Sequence, residues 1–164
     1  QRSGEIVTQE PPPQGKKILS KEISAELGGP PLSTFRETSL LSKEASKGKG
    51  ASVSPQRTLK RSMVLYGTGL HSGMKTGLLL QPLPPNSGIL FGNISSDEVV
   101  PAHLDYVQTT EFATSLRKGK AIARTIEHLM AVLHAYRITN LMVKMIEEIP
   151  IMDGSALEFC KMIE

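Results

Sequence analysis

Tryptophan is missing from the chain, and Phe and Tyr together make up only 4% of it. That leaves too few rings for the alternating aromatic platform with which a sheet stacks single-stranded bases. Charge of one sign is not concentrated either. The net charge is +3, and the short runs Lys16-Lys17, Lys60-Arg61 and Arg117-Lys118-Gly119-Lys120 read as solvated turns, not as a basic stripe. Nucleic acid is therefore not an expected partner. A single cysteine, Cys160, excludes an internal disulfide and fits a reducing compartment. It falls on the apolar face of an expected helix, where it is core filler. No run of about 18 apolar residues occurs, so no transmembrane helix is expected, and no signal-peptide pattern is present.

What is present is unevenly distributed. Residues 1–55 hold 6 of the 11 prolines and only one aromatic residue, Phe35. Pro11-Pro12-Pro13, Gly28-Gly29-Pro30-Pro31 and Ser46-Lys47-Gly48-Lys49-Gly50 are breakers set in polar sequence. This stretch reads as a disordered linker or tail, and residues 56–164 as the folded domain. The start at Gln1 and the end at Glu164, inside a helical pattern, suggest a fragment.

From Gln56 onward, strand patterns cover 58–66, 76–81, 88–91 and, less clearly, 99–107. Residues 112–116 and 121–123 flank a hairpin turn at Arg117-Lys118-Gly119-Lys120. A helix follows, with Thr125 as its expected cap. Ile126, Leu129, Met130 and Leu133 recur at the i, i+3, i+4, i+7 spacing of one apolar face. Residues 141–146 have few polar side chains and read as a central strand. Asp153-Gly154-Ser155 turns into a last helix, which Asp153 or Ser155 would cap. The order predicts an α+β fold: a two-layer sandwich, with two helices packed on one face of a mostly antiparallel or mixed sheet.

The most informative string is Thr125-Ile126-Glu127-His128-Leu129-Met130-Ala131. It sets a carboxylate and an imidazole side by side at a helix start. The partial positive charge of a helix N-terminus favours carboxylate and disfavours imidazolium. A neutral imidazole can ligate a metal, and an ionised carboxylate can act as a general base. The plain alternative is a capped surface helix with two polar residues in its first turn.

A complete metal site is not apparent. His134 lies about 240° round the helix from His128, so the two cannot share an ion. His71 or His103 could approach only through the fold. The turn Gly67-Thr68-Gly69-Leu70-His71-Ser72-Gly73 lacks the spacing of a dinucleotide fingerprint or a phosphate loop. It reads either as a hairpin turn with one exposed imidazole or as a site loop.

Four segments, in this order, carry a resemblance: Gln56-Arg57-Thr58-Leu59-Lys60, the glycine turn from Gly67 to Gly73, the Thr125 to Ala131 string, and Ile149-Pro150-Ile151-Met152-Asp153-Gly154-Ser155-Ala156. Together they resemble the N-terminal domain of the UDP-3-O-acyl-N-acetylglucosamine deacetylases. The resemblance implies a cytoplasmic bacterial zinc hydrolase of lipid A synthesis that removes acetate from a UDP-linked acylated amino sugar. It implies that His128 is a zinc ligand, that Glu127 is the general base acting on water, and that His71 lies in a loop near the substrate. It also implies a missing C-terminal domain that supplies the other ligands, which would leave this chain inactive alone. Arg124 stands where that family usually carries a small residue, and Thr139 where it carries an aspartate. A non-catalytic deacetylase-like module retained in a fusion protein is the alternative.

Overall fold

The computed structural model describes residues 4–10, 54–146 and 148–164. It begins with a strand inside the stretch that composition assigns to a tail. Ile6–Gln9 (β1) pairs antiparallel with Gln56–Leu59 (β2), setting Ile6 opposite Leu59 and Gln9 opposite Gln56. Residues 11–53 of the expected tail lie outside the described residues.

The strand expected over 58–66 is two strands. After β2 the chain turns at Lys60, whose N–H donates to the carbonyls of Gly4 and Glu5 at 3.1 and 2.7 Å. It then re-enters as Met63–Thr68 (β3). Three consecutive polar residues, Lys60, Arg61 and Ser62, supply the break. Along β3, Val64 and Tyr66 are exposed while Met63 and Leu65 pack against the core, the two-residue alternation of a half-buried strand.

β3 belongs to a five-stranded sheet with Lys75–Pro82 (β4), Ile89–Asn93 (β5), Val99–Pro101 (β6) and Leu141–Met145 (β10). The order is β3-β4-β10-β5-β6. β10 runs antiparallel to β4 and parallel to β5. It is central, as its apolar sequence predicts, with Leu141 and Val143 fully buried. A parallel pair cannot be closed by a hairpin. The β5-to-β10 connection therefore carries most of the remaining elements.

Those elements are a 3-10 turn at Leu104–Tyr106, then Val107–Thr109 (β7), Ser115–Lys118 (β8) and Ala121–Arg124 (β9), which form a three-stranded antiparallel sheet. β8 and β9 are joined by Gly119-Lys120, where Gly119 has φ +60°, the left-handed value a tight hairpin turn requires. Helix α1, Glu127–Ala135, follows at once. Helix α2, Leu157–Ile163, comes last. Leu129, Val132 and Leu133 of α1 and Phe159 and Ile163 of α2 share one core with Leu78, Leu80, Phe91 and Val143 of the large sheet. The fold is α+β, with both helices in the single core. No helix among the described residues is long and apolar enough to cross a membrane.

Two expected caps are replaced. Ile126, not Thr125, occupies the N-cap of α1, and no side chain caps it. Thr125 instead takes φ +57°, a conformation that turns the chain sharply out of β9 and precludes the extended backbone of a capping residue. At α2 the N-cap is Ala156. Asp153 closes its own turn by accepting from the N–H and hydroxyl of Ser155 at 2.9 and 2.8 Å. The Ser155 hydroxyl then accepts from the N–H of Leu157 at 3.2 Å.

Candidate active site

Glu127 is the first residue of α1 and is exposed, whereas His128 beside it is half-buried. The loop leading into β8 reaches Glu127 from across the small sheet. The backbone N–H of Thr114 donates to Glu127 Oε1, and the N–H of Ile126 donates to the Thr114 carbonyl at 3.5 Å. Burial pushes the Glu127 carboxyl up. The Thr114 N–H, the N–H of Glu127 itself, the Thr114 hydroxyl and the neighbouring His128 outweigh it, and the net shift is below the ordinary glutamate value. Hydrogen bonds to the charged form are the ones that favour ionisation.

The His128 ring turns toward α2 and the segment that precedes it. Its Nε2 lies 2.9 Å from the carbonyl oxygen of Pro150, and its edge meets the Phe159 ring at a centroid distance of 5.2 Å and an interplanar angle of 73°. A carbonyl oxygen can only accept, so Nε2 carries the hydrogen. In the neutral ring the lone pair is then on Nδ1. Fixing one ring nitrogen on a backbone carbonyl is how a ligating histidine is usually held in its tautomer and orientation.

A cleft of about 410 Å³ opens next to this pair, lined by His71, Ser72, Thr109, Glu111, Phe112, Ala113, Ser115, Arg124, Thr125 and Glu148. His71 therefore does line a site-like cavity. Glu127 and His128 do not line it; they adjoin it through Thr114 and Thr125. Phe112, 83% exposed, stands on its wall as an unpartnered apolar surface. Arg124 is the cation of the lining. His103 and His134 are not brought to the cleft. His103 accepts from the N–H of Asp105 through Nδ1 at 3.2 Å, and His134 is in the last turn of α1.

Two participants were not legible in the sequence. Glu148 is 2% exposed and lines the cleft. Thr114 is recognisable only from the fold, because it reaches Glu127 chiefly through its backbone N–H. The one available signal for Glu148 was its place immediately before the apolar Ile149-Pro150-Ile151 string.

Among the described residues no group of three or more His, Cys, Asp or Glu side chains is placed to hold a metal ion. The donor chemistry at His128 suits one ligand of a zinc site, which takes three or four.

A family profile described as UDP-3-O-acyl N-acetylglycosamine deacetylase matches residues 56–164. The UDP-3-O-acyl-N-acetylglucosamine deacetylase of Chlamydia pneumoniae is 46% identical over 113 residues, covering 66% of this chain and 40% of the relative. Those of Helicobacter pylori and Coxiella burnetii are 43% and 42% identical over 110 and 112 residues, each covering 66% of this chain and 37% of the relative. Across more than half its length, the α+β domain with a Glu-His pair opening α1 is that of a deacetylase family. The chain belongs to the UDP-3-O-acyl N-acetylglycosamine deacetylase family. It spans about two-fifths of the length of these curated relatives.

Proposed function

We propose that the intact protein is a zinc-dependent amide hydrolase that removes the N-acetyl group of UDP-3-O-acyl-N-acetylglucosamine, a step of lipid A synthesis in the bacterial cytoplasm. The observation that carries the reading is the state of the Glu127–His128 pair. The Thr114 N–H favours the charged form of the exposed Glu127 carboxyl, while Pro150 fixes the adjacent imidazole by one nitrogen.

In this mechanism Glu127 takes the proton of the water that attacks the amide carbonyl. A positioned base of this kind is worth about 10²–10⁴-fold in rate. His128 would be the ligand this chain contributes, with the remaining ligands supplied by the part of the protein beyond these residues. Zinc, when bound, supplies Lewis-acid polarisation of the carbonyl and a lowered pKa for water. His71 and Arg124, on the cleft lining, are the cationic or hydrogen-bonding groups available to a UDP-linked sugar.

The test is Glu127→Gln in the full-length protein, assayed for acetate release. Turnover should fall by about 10²–10⁴-fold with zinc content unchanged. Near-normal turnover would remove Glu127 from the mechanism. A wild-type protein that binds the UDP-sugar and releases no acetate would instead favour a non-catalytic module.

A further inference from the structure

Residues 148–151 form a strap that contacts the glycine turn, β4, the end of β9 and His128 of α1. The Glu148 carbonyl accepts from the Thr76 hydroxyl at 2.9 Å. The N–H of Ile149 donates to the Arg124 carbonyl at 3.1 Å, and that of Ile151 donates to the Thr68 carbonyl at 3.0 Å. Pro150 holds the His128 ring as described above. One side chain of the strap enters the glycine turn. Glu148 Oε1 accepts the backbone N–H of His71 at 3.0 Å.

The turn is shaped around that carboxyl group. A Cβ added to Gly69 would stand 2.3 Å from Glu148 Oε1 and 2.3 Å from Ser72 Oγ, and one added to Gly67 would stand 2.8 Å from Pro150 Cβ. Both are distances that real Cβ atoms do not reach. The two glycines are needed because the strap lies against them. Glu148 is 2% exposed, so its oxygen is held in place by packing, and it spans from the strap that orients His128 to the loop that carries His71.

We propose that Glu148 is a positioning residue: its buried carboxyl group clamps the glycine turn, so that His71 and Ser72 are held at the cleft in register with the Glu127–His128 pair. What the cleft holds rests on the deacetylase reading. The clamp itself does not.

The experiment uses Glu148→Ala, Glu148→Gln and Gly69→Ala in the full-length protein. Amide hydrogen exchange at His71 reads the clamp without reference to activity. The amide of Leu133 in α1 reports any global loss of stability. The exchange rate at His71 should rise on the order of tenfold or more in Glu148→Ala, since its N–H loses the acceptor that protects it. It should stay near wild type in Glu148→Gln, whose amide oxygen can still accept. Leu133 should be unchanged in both. Gly69→Ala, which pushes the carboxyl aside without removing it, should reproduce the Glu148→Ala pattern and stands in for it if that variant does not fold. With UDP-3-O-acyl-N-acetylglucosamine, Glu148→Ala should raise KM more than it lowers kcat. An unchanged His71 rate in both Glu148→Ala and Gly69→Ala would overturn the proposal. So would equal acceleration at His71 and Leu133, or a Gln variant as loose as the Ala variant. If wild type shows no turnover, the deacetylase reading fails while the exchange data still decide the clamp.

Discussion

The backbone N–H of Thr114 donates to the carboxyl group of Glu127, so the loop before β8 and the first residue of α1 are fastened at the acid that would do the chemistry. The bond favours the charged form of Glu127 over the neutral one. It also explains how a carboxyl group subject to burial ends below its ordinary value.

The consequence is a titration with a definite sign. By carboxyl ¹³C NMR, Glu127 should titrate below the ordinary glutamate value of about 4.3. A group whose pKa is depressed on folding stabilises the fold above its unfolded pKa, and that contribution is lost as the pH falls through the folded value. The Glu127→Gln variant should therefore show a flatter loss of stability than wild type below about pH 4.3. The difference should be small, because the side chain is exposed and solvent screens it. A midpoint at or above the ordinary value would show that the hydrogen bond from Thr114 does not outweigh burial at Glu127.

A second expectation concerns metal. With one suitable imidazole and no three-donor group among the described residues, residues 1–164 alone should retain well under one zinc ion per chain after dialysis, and should show no acetate release. Elemental analysis checks the first and a product assay the second. Tight stoichiometric zinc with turnover would show that this chain is a complete catalyst.

The difference between what could and could not be read from the chain follows the range of the interactions. The apolar spacing of Ile126, Leu129 and Leu133 is local, and it located α1 and hence the Glu127–His128 step. The low polarity of 141–145 placed β10 at the sheet centre, where it lies. By contrast, Ile6–Gln9 joins Gln56–Leu59 across a long Pro- and Gly-rich stretch, and a four-residue strand carries too little periodicity to announce a partner so distant. Thr125 has the side chain of a cap, yet the reversal from β9 into α1 puts its backbone at φ +57°, a tertiary demand that overrides local preference. Glu148 carries no local sign of burial, because acidic side chains are mostly exposed. Its burial depends on Gly69, far upstream, which leaves room for it.

A buried amide is one of the ties that join β1 and β2 to the large sheet. Asn140, 1% exposed, donates through Nδ2 to Gln9 Oε1 at 2.7 Å and Gln56 Oε1 at 2.8 Å. Its Oδ1 accepts from the N–H of Gly88 at 3.0 Å. Asn140→Ala removes both kinds of partner and leaves the side-chain oxygens of Gln9 and Gln56 and the N–H of Gly88 without their bonds to Asn140. It should lower the unfolding free energy by about 2–3 kcal/mol, within the range for broken buried networks. Chemical denaturation measures this. A loss under about 0.5 kcal/mol, the size of an ordinary surface change, would mean that the network is not a structural tie.

Thr125 offers the sharpest separation of stability from use. It is 4% exposed, its Oγ1 is buried without a hydrogen-bond partner, and it lines the cleft two residues before Glu127. A β-branched residue at positive φ is strained by about 1–3 kcal/mol, and a buried hydroxyl without a partner costs about 1–3 kcal/mol more. Thr125→Val keeps the shape and the strain but removes the hydroxyl. It should raise the unfolding free energy by about 1 kcal/mol, the low end of that penalty. Thr125→Gly relieves the backbone strain as well, at the cost of a buried methyl group, so the two variants together divide the two effects. Strain and unmet polar groups persist where function maintains them. If that holds here, Thr125→Val will be more stable than wild type and slower in acetate release, as measured by denaturation and by kcat/KM on the same preparation. A variant both more stable and equally active would show that the hydroxyl plays no part at the cleft, and would leave the backbone turn as the reason for the residue.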